Sequence, residues 1–251
     1  MIIFIAFIIF IILTLFIKYN KKEGFDNKEL DDVLIEITNN KLGVEIGGPS
    51  VTGKTIYQNA TSIDNVIFSK ETLWSNHLNN EYKYYENKTG KVIIDDAVNI
   101  TLIDNEVYDF LFSSHSLEHI ANPLKAINEW LRVIKHGGYI IIIVPEKSEC
   151  FDHKRDYSEF STLLSQYKKN VGEDDLSTLP EILKKHDLSM DPPAGDLEKF
   201  KKRSLDNFNN RGLHHYVYND KLLMDICNYF NCKFKYKETQ GVNRWFIMKK
   251  N

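Results

Sequence analysis

From Leu42 onward the chain predicts an α/β fold, an open and mostly parallel sheet with helices on both faces. Apolar runs of strand length alternate with helical stretches, and "YIIIIVPE" is apolar at successive positions, as a strand buried on both faces must be. Polar or acidic residues also stand at or near the ends of four successive strand candidates: Glu45, Asp64, Asp96, and Ser113 to His115. Ligands of open parallel sheets bind at that edge.

The elements follow in order. "LGVEI" is a short apolar run ended by glycines, the first strand. "TSIDNVIFS" is the second, "GKVIIDDA" the third with Lys91 to Ile94 extended, and "EVYDFLFSSH" the fourth. "NPLKAINEWLRVIKHGG" is a helix. Pro123 suits its first turn, Leu124, Ile127, Trp130, Leu131 and Ile134 recur at helical spacing, and Gly137 and Gly138 stop it. "YIIIIVPE" is the fifth strand. Residues 150–215 are polar and too long for a bare loop, so they predict a helical insertion or lid. "NDKLLMDICNYF" is a helix capped by Asn219 or Asp220, and "CKFKYKETQ" and "NRWFIMKK" are two closing strands.

The N-terminus differs. "MIIFIAFIIFIILTLFI" carries no charge through Ile17. As a helix it reaches roughly 25 Å, slightly short of a hydrocarbon core of about 30 Å. With Lys18, Lys21 and Lys22 just after it, the expectation is an uncleaved transmembrane anchor over 1–17. A tether with a short helix follows over 18–40, and the catalytic domain over 41–251 faces the cytoplasm. The sequons at Asn59, Asn87 and Asn99 do not alter this topology.

A net charge of -3 over 251 residues gives no argument for nucleic-acid binding. The three cysteines, Cys150, Cys227 and Cys232, form no CxxC pair, which argues against a disulfide framework or a zinc–cysteine site. His153, His214, His215 and Asp152 follow no known metal-ligand spacing, and no metal site is predicted.

The stretch "GGPSVTGKT" supports two readings. It contains the GxxxxGK[ST] phosphate loop, in which Lys54 would reach phosphates and Thr55 a magnesium ion, and "VIIDD" supplies a matching acidic strand end at Asp95. Alternatively, Glu45 and the glycines form the first turn of an adenosine-binding sheet edge.

The second reading accounts for more of the chain. "VYDFLFSSHSLEHIANPLKAINEWLRVIKHGGYIIIIVPE" resembles the fourth-to-fifth-strand segment of class I S-adenosylmethionine-dependent methyltransferases of the type 11 group. "VEIGGPS" and "DDA" fall where that family's first and third nucleotide motifs belong, so the resemblance covers roughly 42–147. It implies a Rossmann-like seven-stranded, mostly parallel sheet with an antiparallel last strand. It also implies S-adenosyl-L-methionine as cofactor and methyl transfer to an acceptor. The family's E/D-x-G-x-G-x-G motif is broken here, because Pro49 and Val51 replace the second and third glycines.

By this resemblance Glu45, Gly47 and Gly48 hold the methionine end of the cofactor. Asp64 takes the ribose, Asp96 and Ala97 the adenine, and Ser114 faces the methyl. His115 is a candidate general base, with His153 and His214 as further catalytic candidates. Arg155, Arg211 and His215, at the two ends of the insertion, are candidates for binding an anionic or hydroxyl-rich acceptor. Glu118 and His119 of "LEHI" are expected mainly to pack at a helix start. The acceptor class is a small molecule, a glycan or a lipid-linked substrate met at a membrane. A phosphate-loop NTPase and a non-catalytic binding protein of the same fold remain the alternatives.

Overall fold

The structure is a computed structural model, described over residues 29–73 and 81–251. One sheet of eight strands runs through it, in the order β3-β4-β2-β1-β5-β6-β8-β7. The five inner strands β4 (Lys88–Ile94), β2 (Ser62–Ile67), β1 (Leu42–Ile46), β5 (Tyr108–Ser114) and β6 (Ile134–Pro145) pair in parallel. Their connections pass over the faces, so the carboxyl ends share one edge. At the far end β8 (Asn243–Lys249) pairs antiparallel with β6, and β7 (Lys233–Gln240) antiparallel with β8.

The expected seven strands become eight because β3 (Glu81–Tyr85) forms a hairpin with β4. "EYKYY" hides its strand character behind charges. Tyr82 and Tyr84 alternate onto the buried face while Glu81 and Lys83 stay exposed.

Successive residues of β5 feed opposite cores. Phe110 and Phe112 join Leu30, Leu34 and Ile37 of a helix over 29–38 and Ile56 and Tyr57 of α2 (Lys54–Asn59). Leu111 joins the other face, under α3 (Pro123–Val133), α4 (Phe160–Lys169) and α8 (Asp220–Tyr229). Labelling the helix over 29–38 as α1, the body is three layers, helix–sheet–helix. Asn122 caps α3 by accepting from Lys125 N at 3.2 Å, and Trp130 Nε1 donates to Ala97 O at 3.0 Å. That bond ties the helix to the end of β4.

α3 ends earlier than its glycines predict. Ile134 is already extended (φ -89°, ψ 149°) and opens β6 opposite Tyr108, leaving Gly137 (φ +73°) to turn within the strand's irregular start. The side chain of Ile134 continues the helical apolar stripe, which is why periodicity alone runs past the true end.

The insertion is two things. Leu163 of α4 belongs to the body. The rest carries a small core of its own, built from Leu179 and Ile182 of α5 (Leu179–Lys185), Phe200 of α6 (Leu197–Leu205), Ala194 and Leu213. α7 (Asn207–Asn210) follows.

The single-pass membrane placement and the cytoplasm-facing topology built on it are corrected. Among the described residues no helix is long and apolar enough to cross a membrane, and the 1–17 segment that carried the expectation lies outside those residues.

Gly43 sets the spacing of the two central strands. A Cβ there would stand 2.2 Å from the Phe110 ring, which is fully buried in the adjacent strand. Gly43→Ala is expected to cost about 1–3 kcal/mol in urea unfolding through overpacking. Combined with Phe110→Leu it is expected to cost less than the sum of the two single changes.

Candidate active site

A cavity of about 540 Å³ opens along the carboxyl edge. Pockets of this size hold small molecules. Its walls come from the ends of all five parallel strands, including Gly47 after β1, Phe68 after β2, Asp96 after β4, Ser114 at the end of β5 and Pro145 of β6. Arg211 and His214 close it from the insertion.

The loop after β1 is held from below. Asn65 is fully buried on β2. Its Oδ1 accepts from Gly48 N and its Nδ2 donates to Gly48 O, both at 3.1 Å. Glu45 is also fully buried. Its carboxylate accepts from Tyr57 Oη at 2.9 and 2.8 Å, from Ser50 N at 3.1 Å and from Tyr82 Oη. Burial is the largest influence on Glu45 and pushes its carboxyl up to about 7 against the pull of those donors. Above them Gly47 adopts φ +78°, and a Cβ there would meet Ser116 Oγ at 2.8 Å, so only glycine fits. Gly47 therefore lines the cavity, while Glu45 and Gly48 support the loop from beneath. The hydroxyls of Ser50, Thr52 and Ser114 cluster at 2.7–3.2 Å beside it.

The phosphate-loop geometry does not form. Thr55 Oγ1 donates to Asp31 at 2.6 Å, away from the cavity edge, and Lys54 is exposed outside the lining.

At the next two strand ends the sequence-predicted roles divide. Asp96 and Ala97 line the cavity as expected. Asp64 does not reach it. It lies within β2, where it accepts from Lys91 N at 2.8 Å and from Tyr108 Oη at 2.8 Å. The residue at the end of β2 is Phe68. The Arg211 guanidinium lies 5.2 Å from the Phe68 ring and donates to Asp96 Oδ2 at 3.2 Å. It also pairs with Glu173 at 3.4 Å. Arg211 thus joins the insertion to the ends of β2 and β4, not to the histidine end of the cavity.

Beyond β5 the walls turn to histidine. His115, at φ +49°, sets Nε2 2.8 Å from Asn243 Oδ1 and Nδ1 3.6 Å from Glu118 Oε1. Burial draws its imidazole down, the Glu118 carboxylate and Asn243 draw it up more strongly, and the net direction is up. Both its nitrogens already face partners, which makes it a poor proton acceptor in this geometry. His214 Nδ1 meets Asp152 Oδ2 at 2.6 Å, leaving Nε2 as the other nitrogen of a ring that lines the cavity. Burial raises the Asp152 carboxyl, but His214 and Arg155 outweigh it and bring the group down to about 2. Burial, then the charge of His214, holds His119 down to about 3.

Three further predicted residues, His153, Arg155 and His215, are not part of the cavity wall. His153 pairs with Asp187 at 2.9 Å on the far side of its turn. Arg155 is buried and spans Asp152 (2.9 Å), His214 O (2.7 Å) and His215 O (3.1 Å). His215 is buried, with Nε2 3.1 Å from Asn207 Nδ2, and its N–H donates to Glu118 O at 2.8 Å. Arg155 and His215 hold the segment that presents His214. Conversely, Glu118 and His119, expected to pack, line the cavity. Their signal was the acidic–imidazole pair directly after the β5 strand end.

Residues 57–142 match the family model of a methyltransferase domain. That match agrees with the resemblance to class I S-adenosylmethionine-dependent methyltransferases. The cofactor that this match implies is S-adenosylmethionine. No curated protein matches the sequence. Among solved structures, the chain is similar to an S-adenosylmethionine-dependent methyltransferase from Mesorhizobium loti. The identity is 8% and the TM-score 0.52, over 91% of this chain and 99% of that one. A protein from Listeria monocytogenes, also described as an S-adenosylmethionine-dependent methyltransferase, is 11% identical with a TM-score of 0.50, over 89% and 96%. A Rhodobacter sphaeroides protein described as a zinc-dependent alcohol dehydrogenase is 11% identical, with a TM-score of 0.50 over 89% and 90%. At these identities the likenesses speak to the fold alone. The residues present fit the cofactor at the loop, where Gly47 lets the backbone approach, and at Asp96. The β2 end offers an aromatic face where the family resemblance implied a carboxylate.

The Glu45 cluster makes the domain pH-sensitive in a stated direction. A carboxyl raised from 4.5 to about 7 contributes its full stability below pH 4.5 and loses it as pH rises through about 7. Against Glu45→Gln, the wild type is expected to lose on the order of 2–3 kcal/mol of relative stability between pH 5 and pH 8. Denaturant titrations at the two pH values measure it, and a constant gap would mean that the carboxyl is ionised throughout.

Proposed function

We propose that the protein transfers the methyl group of S-adenosylmethionine to a small-molecule acceptor bound under the insertion. The observation that carries this reading is the shape of the cavity at the strand ends. It has a nucleotide half at Gly47, Phe68, Asp96 and Ala97, and a polar half at His115, Glu118, His119 and His214. Ser114 and Ser116 stand where the two halves meet, at the end of the central β5.

The sulfonium supplies an activated methyl group when the cofactor is bound. Gly47, Asp96 and Ala97 would hold the cofactor, and the acceptor would take the methyl group while the carbon–sulfur pair returned to sulfur. The chain's work is alignment. The Glu45 and Asn65 clamps fix the loop, Arg211 and Glu173 hold the insertion over the edge, and the histidine end receives the acceptor. For a hydroxyl acceptor the proton must also leave. His214 is the best placed of the imidazoles, because Asp152 holds its Nδ1 and leaves its other nitrogen available.

Calorimetric titration of the full chain tests the first half. S-adenosylmethionine is expected to bind, Asp96→Ala to weaken it about tenfold, and Lys54→Ala to leave it unchanged, with no binding of magnesium ATP. Binding of magnesium ATP that Lys54→Ala abolishes would overturn the proposal. Release of S-adenosylhomocysteine across a panel of hydroxyl-bearing acceptors tests the second half. There His214→Ala is expected to lower kcat by about 10²–10⁴.

A further inference from the structure

The polar end of the cavity contains an electrostatic problem that the surrounding protein leaves open. Glu118 is buried to about 1% exposure, yet neither of its carboxylate oxygens accepts a hydrogen bond from any of the described residues. Buried carboxylates are normally hydrogen-bonded, paired or bound to a cation. The closest approach to pairing is His115 Nδ1, at a long 3.6 Å. Donor atoms of Glu118, His119 and His214 all lie within 4.8 Å of one another, and all three residues line the cavity. The His119 and His214 rings sit edge to face with centroids 4.5 Å apart.

The support behind this trio is of the kind that orients ligands. Asp152 is buried and takes His214 Nδ1 at 2.6 Å. A carboxylate on one imidazole nitrogen fixes the ring and its tautomer so that the other nitrogen points outward as a lone pair. Arg155 in turn holds Asp152 at 2.9 Å and the backbone of His214 at 2.7 Å. His215 N–H on Glu118 O at 2.8 Å joins the two chain segments that carry the three side chains.

We propose that Glu118, His119 and His214 form a binding site for one divalent first-row transition-metal ion, facing the acceptor half of the cavity. Two imidazoles and one carboxylate are a donor set that suits zinc, iron(II), cobalt(II) or manganese(II). Tetrahedral bonds of about 2.1 Å place donors about 3.4 Å apart, so the trio closes on an ion by side-chain movements of about 1 Å. Three protein ligands leave at least one position open, and here it faces the cavity. If the methyl-transfer reading holds, that position selects an acceptor that binds through oxygen, such as a phenol, enol or vicinal diol. The ion then lowers the pKa of the bound hydroxyl, and His214 is no longer needed as a base.

The experiment is a metal titration of the full chain after chelator stripping. Zinc and cobalt(II) are each followed by calorimetry, and cobalt also by its visible absorption. S-adenosylmethionine binding is measured on the same samples. The expected result is about one ion per chain, with cobalt bands of low coordination number. Glu118→Gln and His214→Ala are each expected to weaken binding a hundredfold or more, and Asp152→Asn about tenfold. His153→Ala, an imidazole paired with Asp187 outside the cavity wall, is expected to leave it unchanged. Absence of stoichiometric binding by the wild-type chain overturns the proposal whatever the variants do, and so does binding that Glu118→Gln and His214→Ala leave intact. Cofactor binding without metal binding removes the ion alone and leaves the methyltransferase reading standing. Metal binding without cofactor binding does the reverse.

Discussion

The buried carboxylate of Glu45 is the constraint around which the cofactor edge is arranged. It sits at the end of the central strand with no exposure, under a loop that has lost two of the glycines its family resemblance implies. A proline at position 49 removes one backbone donor and stiffens the turn. Side chains supply what the backbone does not. Tyr57 comes from the helix after the loop, Tyr82 from the additional edge strand, and Asn65 from the neighbouring strand. Three separate elements therefore converge on one turn. The eighth strand is part of this solution, since β3 is the element that carries Tyr82 to Glu45.

The second constraint is the attachment of the insertion. Its small apolar core of Leu179, Ile182, Ala194, Phe200 and Leu213 is separate from the body. Buried polar groups do the joining. Glu173 accepts from Ala121 N at 2.9 Å and meets Arg211, while Arg155 bridges Asp152 to the backbone of the returning segment. Buried charges of this kind are costly to break singly, on the order of 3–5 kcal/mol, because each leaves an unpaired partner behind. They are also directional, which apolar contacts are not. The insertion is thereby held in one register over the strand ends, with His214 presented inward and His153 outward.

The parallel strands, the helix "NPLKAINEWLRV" and the cavity-lining positions Gly47, Asp96, Ala97 and Ser114 were legible from the chain because each obeys a local rule. Periodicity marks the buried faces, and a polar residue at the end of an apolar strand marks the ligand edge. Where two local rules competed, legibility failed. Ile134 keeps the helical stripe while its backbone has already become strand. Asp64 carries the right chemistry for a ribose, but the register with β1 and β4 sets it beside Tyr108, three residues short of the edge.

By itself, the amino-acid order determined the class of fold, the sheet edge at which the cavity opens and the stretch of chain that covers it, because those depend on patterns within one element. Only the tertiary structure decided which members of "FDHKRDYS", "RGLHHYVYN" and "LEHI" share a space. Adjacent residues such as His214 and His215 point to different neighbours, one to Asp152 and the cavity, the other to Asn207 and Glu173. The direction of a side chain in an irregular segment is set by hydrogen bonds to residues about 60 positions away, as those of Arg155 to 214 and 215 are. No period in the sequence encodes such a bond, so the division of histidines between support and cavity is a property of the folded chain.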